Sequence, residues 1–457
     1  MIKVIAVFDV GKTNKKVLLF NKDVKVVFQH EEKFPTVVDE DGFECDDIEL
    51  IEAWISSTLK ELVASDQYDV VGVNFSTYGA SLAFIDEEGK RLTPIYNYLK
   101  PIDDKYVERL FHNYGGDHEF CRKTASPPLG VMLNSGIQIL WLKNERPEVY
   151  KNVKSILHFP QYLSYLLTKR VVSESTSIGC HTYMWDFDNN IYHKWLKEEG
   201  VELLNPIPNA HTFNVPVEDK SVEVGVGIHD SSASLVPYFM GSKDQFLLIS
   251  TGTWCINMNP FNHTPLTESE LLNDCLCYMS IHQKPVKSSR LFMGHIHDVN
   301  TDRLVKHFNV SADSYKKVKT NKEYISKLVK DANSSNIFFK NGVPVDYVDV
   351  DVDLNQFNDF DIAYHQLMYD LTVQCVKSIK LISPKNDQVK NFFVSGGFAR
   401  NEIFVRLLGN FFPDKMVYTS EVDNSSALGT ALVIWDKLDE SHNPNIDLKL
   451  EKWAPFE

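Results

Sequence analysis

The chain has no uncharged apolar run approaching the roughly 18 residues that a membrane-crossing helix requires, so no membrane partner is expected. Its opening stretch, Met1 to Phe8, meets Asp9 before it is long enough for a secretory signal. Positive charge is in short supply: 47 Lys and Arg face 62 Asp and Glu, a net charge of −15. This excludes nucleic acid as a main partner, and an anionic ligand would need a local cluster of cations or N–H donors. Cysteine is scarce as well. Seven of them, odd in number and irregular in spacing, point to reduced thiols in a cytoplasmic protein. Cys275-Leu276-Cys277 has no second pair at zinc spacing and reads as strand residues. His295-Ile296-His297 lacks a third ligand and reads as structural.

What is present is ordinary globular composition, 43% hydrophobic and 24% charged. At 457 residues the chain exceeds one hydrophobic core, and two domains are expected, with a boundary at 228/229. Near that boundary stands Gly227-Ile228-His229-Asp230-Ser231-Ser232. The apolar run Val222 to Val226 leads in and small residues follow, which reads as a strand end, an acidic turn and a helix start capped by Ser231 and Ser232. An Asp at such a turn is placed to take a proton from a substrate hydroxyl, although a lone Asp more often only caps its helix. Gly225 and Gly227 are candidate hinge positions.

Glycine-rich turns on both sides of Asp230 change that balance. Val4 to Val7 and Lys16 to Phe20 read as strands around Asp9-Val10-Gly11-Lys12-Thr13-Asn14-Lys15-Lys16. Successive N–H groups, a hydroxyl and lysines at such a turn can cradle phosphate oxygens. Phe246 to Ile249 and Trp254 to Met258 repeat the pattern around Ser250-Thr251-Gly252-Thr253, which suggests a duplicated fold gripping one polyphosphate between two hairpins. Asn391 to Val394 meets Ser395-Gly396-Gly397 and continues as a helix from Glu402, a turn open to close approach by a ligand. That turn is neither G-x-x-x-x-G-K-[ST] nor G-x-G-x-x-G.

Between these points, Val24 to Phe28 and Val70 to Phe75 read as strands. Helices are expected over 47–64, 135–144, 160–168, 322–332 and 359–382. The loop Ser76 to Ser81 follows a buried strand and is a candidate small-molecule contact. Glu174 to Trp185 reads as polar and irregular, with His181 a solvated loop residue, and 436–457 reads as a surface strap. The small residues Ser425 to Ala431 suit tight helix packing.

Taken in order, Asp9-x-Gly11-x-Thr13, His229-Asp230, Ser250 to Thr253, and Gly396-Gly397 with Gly429 resemble the FGGY carbohydrate kinases of the actin-like ATPase superfamily. Within that family the chain looks most like rhamnulokinase and fuculokinase, through Pro160 to Thr168, Leu248 to Trp254 and the His229-Asp230 block. The resemblance implies an α/β fold of two actin-like, ribonuclease H-like domains with the site in the cleft between them. It also implies ATP and Mg²⁺ as cofactors. The roles it implies are Asp230 as catalytic base, Asp9 beside Mg²⁺, and Gly11, Thr13 and Lys16 on phosphate. Thr251, Gly252 and Thr253 form the second phosphate loop, and Gly396, Gly397 and Asn401 the adenosine turn. The expected reaction is ATP-dependent phosphorylation of a primary hydroxyl of a ketose, L-rhamnulose or L-fuculose first, with a xylulose or ribulose kinase as alternative. A nucleotide-gated sugar sensor without turnover, or an actin-like ATPase acting on proteins, are the readings from other classes. A homodimer is a further expectation. Relatives resemble Gly-Val-Asp where this chain has Tyr78-Gly79-Ala80-Ser81, and Ala80 cannot replace a sugar-holding aspartate. Thr77, Tyr78, Ser81, His181, Thr182 and His229 are the expected sugar contacts, beside Asp230.

Overall fold

In the computed structural model, the residues described are 1–330, 336–440 and 444–456. Fourteen strands build two seven-stranded sheets. The first sheet takes β1 (Ile2–Val10), β2 (Lys15–Asn21), β3 (Val26–Glu32), β4 (Tyr68–Thr77), β5 (Thr212–Val217), β6 (Lys220–Gly225) and β7 (Ile228–His229). The second takes β8 (Phe246–Thr251), β9 (Cys255–Asn259), β10 (Cys275–Met279), β11 (Pro285–Leu291), β12 (Asn391–Gly396), β13 (Met416–Thr419) and β14 (Glu451–Trp453).

The two sheets share a plan, as the repeated hairpins suggest. β1 runs antiparallel to β2 and parallel to β4, while β2 pairs antiparallel with β3. Correspondingly, β8 runs antiparallel to β9 and parallel to β12, while β9 pairs antiparallel with β11. β1 is buried from Val4 to Phe8 on both faces, which is why its apolar residues run in succession rather than alternate. One face is covered by α1 (Ile48–Ala64), whose N-cap Asp47 accepts from the Leu50 N–H and whose buried stripe includes Ile51, Trp54, Ile55 and Leu59. Trp54 meets Phe8 edge-on at 5.2 Å.

The other face is covered by a helix from the far end of the chain. Ala427 and Ala431 of this helix, Ser425–Val433, share a core cluster with Ile5, Val7 and Leu18. Asn74 of β4 donates to the Thr430 carbonyl at 2.9 Å. The small side chains foreseen for tight packing are therefore used against the first sheet.

Several local expectations change. The third strand starts at Val26, not Val24, because Val24 has a φ of +60° in a turn held by the Asn21 side chain. Glu174 to Trp185 is neither polar-exposed nor wholly irregular. Glu174 is fully buried and caps a short helix, Ser175–Ile178, by accepting from the Thr176 and Ser177 N–H groups. Gly225 and Gly227 are closely packed: a Cβ would stand 2.4 Å from Asn74 Oδ1 or 2.5 Å from the Pro160 carbonyl oxygen, respectively, so neither position admits a larger residue without a shift. The tail is more than a strap, since β14 extends the second sheet and Leu448 and Phe456 are buried. The helix foreseen at 322–332 spans Lys322–Lys330, and its last two residues lie outside the described residues.

Candidate active site

β1, β4 and β7 end side by side, and the end of such strands is where α/β sheets carry ligands. Asp9 lies opposite Lys16 on β2 and Ser76 on β4. Ser76 Oγ donates to Asp9 Oδ1 at 2.6 Å. Burial above all, with the charge of Asp230 adding to it, pushes the Asp9 carboxyl up to about 6. A buried carboxylate facing a second carboxylate, with Lys16 nearby, is a place where a divalent cation relieves repulsion. Mg²⁺ is commonly held by one or two carboxylates plus substrate phosphates, so the residues fit it.

Asp230 opens a four-residue helix directly after β7. Its Oδ1 accepts from the Ser231 N–H at 2.5 Å and lies 3.3 Å from His229 Nε2. The expected serine caps are not formed. Ser231 Oγ turns to Asp230 itself, and Ser232 Oγ donates to the Met279 carbonyl at 2.8 Å. The Asp230 side chain stays 34% exposed, whereas that of His229 is 4% exposed, so the carboxylate is the open member of the pair. The His229 N–H donates to Thr176 Oγ1 at 3.0 Å, which ties the turn to the buried Glu174.

The expected sugar contacts separate into two groups. Thr77 pairs with His229 across the strands, and His181 meets the Tyr278 ring edge-on at 5.5 Å. His181 is not solvated: burial first, then the charges of Arg290 and His229, push it down to about 3. Ala80, His181 and Tyr183 all have positive φ, a conformation uncommon for residues other than Gly and concentrated at functional loops. The side chains of Thr77, Tyr78 and Thr182 turn elsewhere, the Thr77 hydroxyl donating to the Tyr78 carbonyl at 2.8 Å. Tyr78 donates to Asp46 Oδ2 at 2.6 Å, and Thr182 Oγ1 donates to the Ile178 carbonyl at 2.7 Å. Ser81 is buried beside Tyr78.

The phosphate turns are built alike. The Gly11 N–H donates to the Asn14 carbonyl at 3.0 Å, and the Gly252 N–H to the Trp254 carbonyl at 2.9 Å. Thr13, Gly252 and Thr253 are exposed at the tips. Thr251 is not: its hydroxyl donates to the Ser395 carbonyl at 2.5 Å and accepts from the Phe398 N–H at 3.0 Å. It thus fastens the second turn to the Gly396 turn and is not a free phosphate donor. Gly396 has a φ of +85°, and a Cβ there would stand 1.8 Å from the Thr251 carbonyl oxygen, whereas Gly397 opens on free space. Asn401 caps the following helix by accepting from the Phe404 N–H and donates to Tyr364 Oη, both at 3.2 Å. A cavity of about 300 Å³ beside Gly396 is lined by Ser234, Ser250, Ser395 and Arg400, with the acids Glu421 and Asp423.

Sequence reasoning missed Asp46, Cys180, Tyr278 and Arg290. Asp46 receives Lys15 Nζ at 2.8 Å and Lys12 Nζ at 3.0 Å, so two of the three turn lysines serve the fold. Burial opposes its charge, yet Lys15, Tyr78 and Lys12 together hold its carboxyl below the usual range. Lys16, opposite Asp9, lies near the cleft, with its Nζ 3.8 Å from Glu31 Oε2 on the neighbouring strand. No sequence signal marks Asp46 as the partner, because it is 31 residues from Lys15. Among the described residues no cluster of three or more His, Cys, Asp or Glu could hold a metal, and no helix is long and apolar enough to cross a membrane.

Residues 4–200 match the model of the FGGY family of carbohydrate kinases, N-terminal domain. A rhamnulokinase of Oceanobacillus iheyensis is 23% identical over 287 residues, 58% of this chain and 57% of that protein. An L-fuculokinase of Haemophilus influenzae is 23% identical over 282 residues, 56% of this chain and 57% of that protein. The chain therefore spans little more than half the length of these curated relatives. Among solved structures, a carbohydrate kinase from Novosphingobium aromaticivorans superposes with a TM-score of 0.80 at 22% identity, over 100% of this chain and 95% of that one. A xylulose kinase from Lactobacillus acidophilus follows at 0.75 and 15%, over 99% and 94%. The chain shares the fold of these proteins over nearly its whole length.

Proposed function

We propose that this FGGY-type chain is an ATP-dependent sugar kinase that phosphorylates a primary hydroxyl of a ketose. The observation that carries the reading is Asp230: a partly exposed carboxylate at a strand end, steadied by His229 and Ser231, with Asp9 close enough to feel its charge. Phosphoryl transfer asks a protein mainly for positioning, charge neutralisation and a base for the hydroxyl. Asp230 takes the proton from the attacking hydroxyl. Lys16 and the N–H groups of the Gly11 and Gly252 turns hold phosphate oxygens. Gly397 leaves room for the nucleoside, and Thr251 keeps its two turns in register. Asp9 would hold Mg²⁺, which supplies charge neutralisation at the transferring phosphate. The free, buried cysteines suit a reducing compartment such as the cytoplasm.

L-Rhamnulose and L-fuculose head the substrates to try, following the relatives' names, and xylulose and ribulose come next because Ala80 offers no carboxylate to a sugar. The test is ADP release with Mg·ATP against these ketoses, in the wild type and in Asp230→Ala. Sugar-dependent turnover that falls about 10²–10⁴-fold in the variant supports the reading. Unchanged turnover in Asp230→Ala sinks the assignment of the base.

A further inference from the structure

The pairing of β9, β10 and β11 sets Ile256 opposite Arg290 and Tyr278 opposite Val286. Alternate strand residues share a face, so Ile256, Arg290, Val286 and Tyr278 lie on one side of the second sheet. That side is the one on which Tyr278 and Val286 pack with Cys180 of the first half of the chain. Tyr278 in turn stacks on His229, with rings 6.2 Å apart and 15° from parallel. From Val286 to Arg290 the strand advances about 13 Å, at roughly 3.3 Å per residue. Arg290 and the His229–Asp230 pair therefore stand at opposite ends of one strip of wall.

Arg290 is held rather than loose. Its Nε and Nη2 both donate to Asp274 Oδ1, and its guanidinium lies over the Trp254 ring at 5.6 Å. Trp254 is itself stacked on Phe292 at 4.5 Å. These contacts leave Nη1 uncommitted among the described residues. The charges of Arg290 and Asp230 both reach Cys180 and Tyr278, and that of Arg290 reaches His181. His181, edge-on to Tyr278, has a buried Nδ1 without a hydrogen-bond partner among the described residues.

We infer that Arg290 is a specificity residue of the cleft, donating from Nη1 to an acceptor oxygen of the sugar at the end away from the reacting hydroxyl. A guanidinium is a donor only, and a planar fork fixed by a carboxylate and an aromatic face loses little freedom on binding. With Ala80 unable to accept from a sugar hydroxyl, the wall offers the sugar donors in place of an acceptor. The substrate then presents an acceptor oxygen at that end, whether hydroxyl, carbonyl, ring or carboxylate. The inference rests on the kinase reading of the cleft.

The test compares the wild type with Arg290→Gln and Arg290→Lys in ADP release at saturating Mg·ATP, with L-rhamnulose, L-fuculose, D-xylulose, D-ribulose and D-gluconate as probes. For each sugar that the wild type accepts, KM rises about tenfold or more in Arg290→Gln while KM for ATP stays within about twofold, and Arg290→Lys recovers part of the loss. An unchanged sugar KM, or equal losses toward sugar and ATP, overturns the role of Arg290 and leaves the kinase reading standing. A wild type that binds nucleotide and turns over none of the sugars overturns both.

Discussion

Gly429 stands against Ala233 so closely that a Cβ on the glycine would lie 1.8 Å from the Ala233 carbonyl oxygen. Ala233 closes the short helix that Asp230 opens. A helix from the far end of the chain is thereby pressed onto the turn that carries the proposed base, with no side chain between them.

Gly429→Ala tests that contact. The obstacle is backbone, which cannot rotate away, so the helix or the Asp230 turn must shift. Overpacking of this kind costs about 1–3 kcal/mol or more. The expected result is a lower melting temperature together with a lower kcat, measured on the same preparation. A variant with wild-type melting and wild-type kcat would show that the contact does not position the base.

Gly79→Ala acts on the sugar side. Its Cβ would meet His229 Nε2 at 2.8 Å and Cys180 Sγ at 3.1 Å. His229 is then displaced from Asp230, while the nucleotide turns on the second sheet are untouched. Steady-state kinetics should show a raised sugar KM or lowered kcat, with nucleotide affinity from calorimetry unchanged.

Thr251→Val removes the hydroxyl that joins the Ser395 carbonyl to the Phe398 N–H and leaves both groups without it. A loss of about 1–3 kcal/mol of stability is expected from the unpaired buried groups. Nucleotide binding should weaken, because the Gly252 and Gly396 turns lose their tie. Denaturant unfolding and nucleotide titration read the two effects separately.

Asp370 gives a pH dependence. Burial pushes its carboxyl up to about 7, against hydrogen bonds from the Phe338 and Ile337 N–H groups and from Gln366. Between the ordinary carboxyl range and about 7 the folded protein binds more protons than the unfolded chain at this group. Its contribution to stability is therefore full at low pH and is lost as pH rises through about 7. In Asp370→Asn this downward slope of unfolding free energy between about pH 4 and 7 should flatten, as measured by denaturant midpoints across that range.

Much of the architecture is legible in the chain because it is written in local terms. The hairpin around Gly11 and its repeat around Gly252 announce themselves through apolar strands and glycine turns, and the two sheets do repeat one plan. Asp47 and Asp359 are recognisable helix starts, and both cap through the expected N–H groups. Asp9, His229 and Asp230 stand out as polar residues at the ends of apolar runs, and the fold brings them to adjacent strand ends.

Other assignments depend on partners far away in sequence. Three lysines follow Gly11, and nothing in their spacing says that Lys12 and Lys15 are drawn to Asp46 while Lys16 faces Asp9. Thr251, Tyr78 and Asn401 look like ligand contacts until their hydrogen bonds to Ser395, Asp46 and Phe404 are seen. His181 reads as a loop residue until Tyr278, 97 positions on in the numbering, closes over it.

By itself, then, the sequence determined the strand and turn chemistry, the duplicated plan and the acids at the strand ends, because those follow from periodicity and backbone preference within a few residues. Only the tertiary structure decided which polar groups remain free for a ligand. That outcome depends on which donors and acceptors burial forces to pair, and burial is a property of the packed whole.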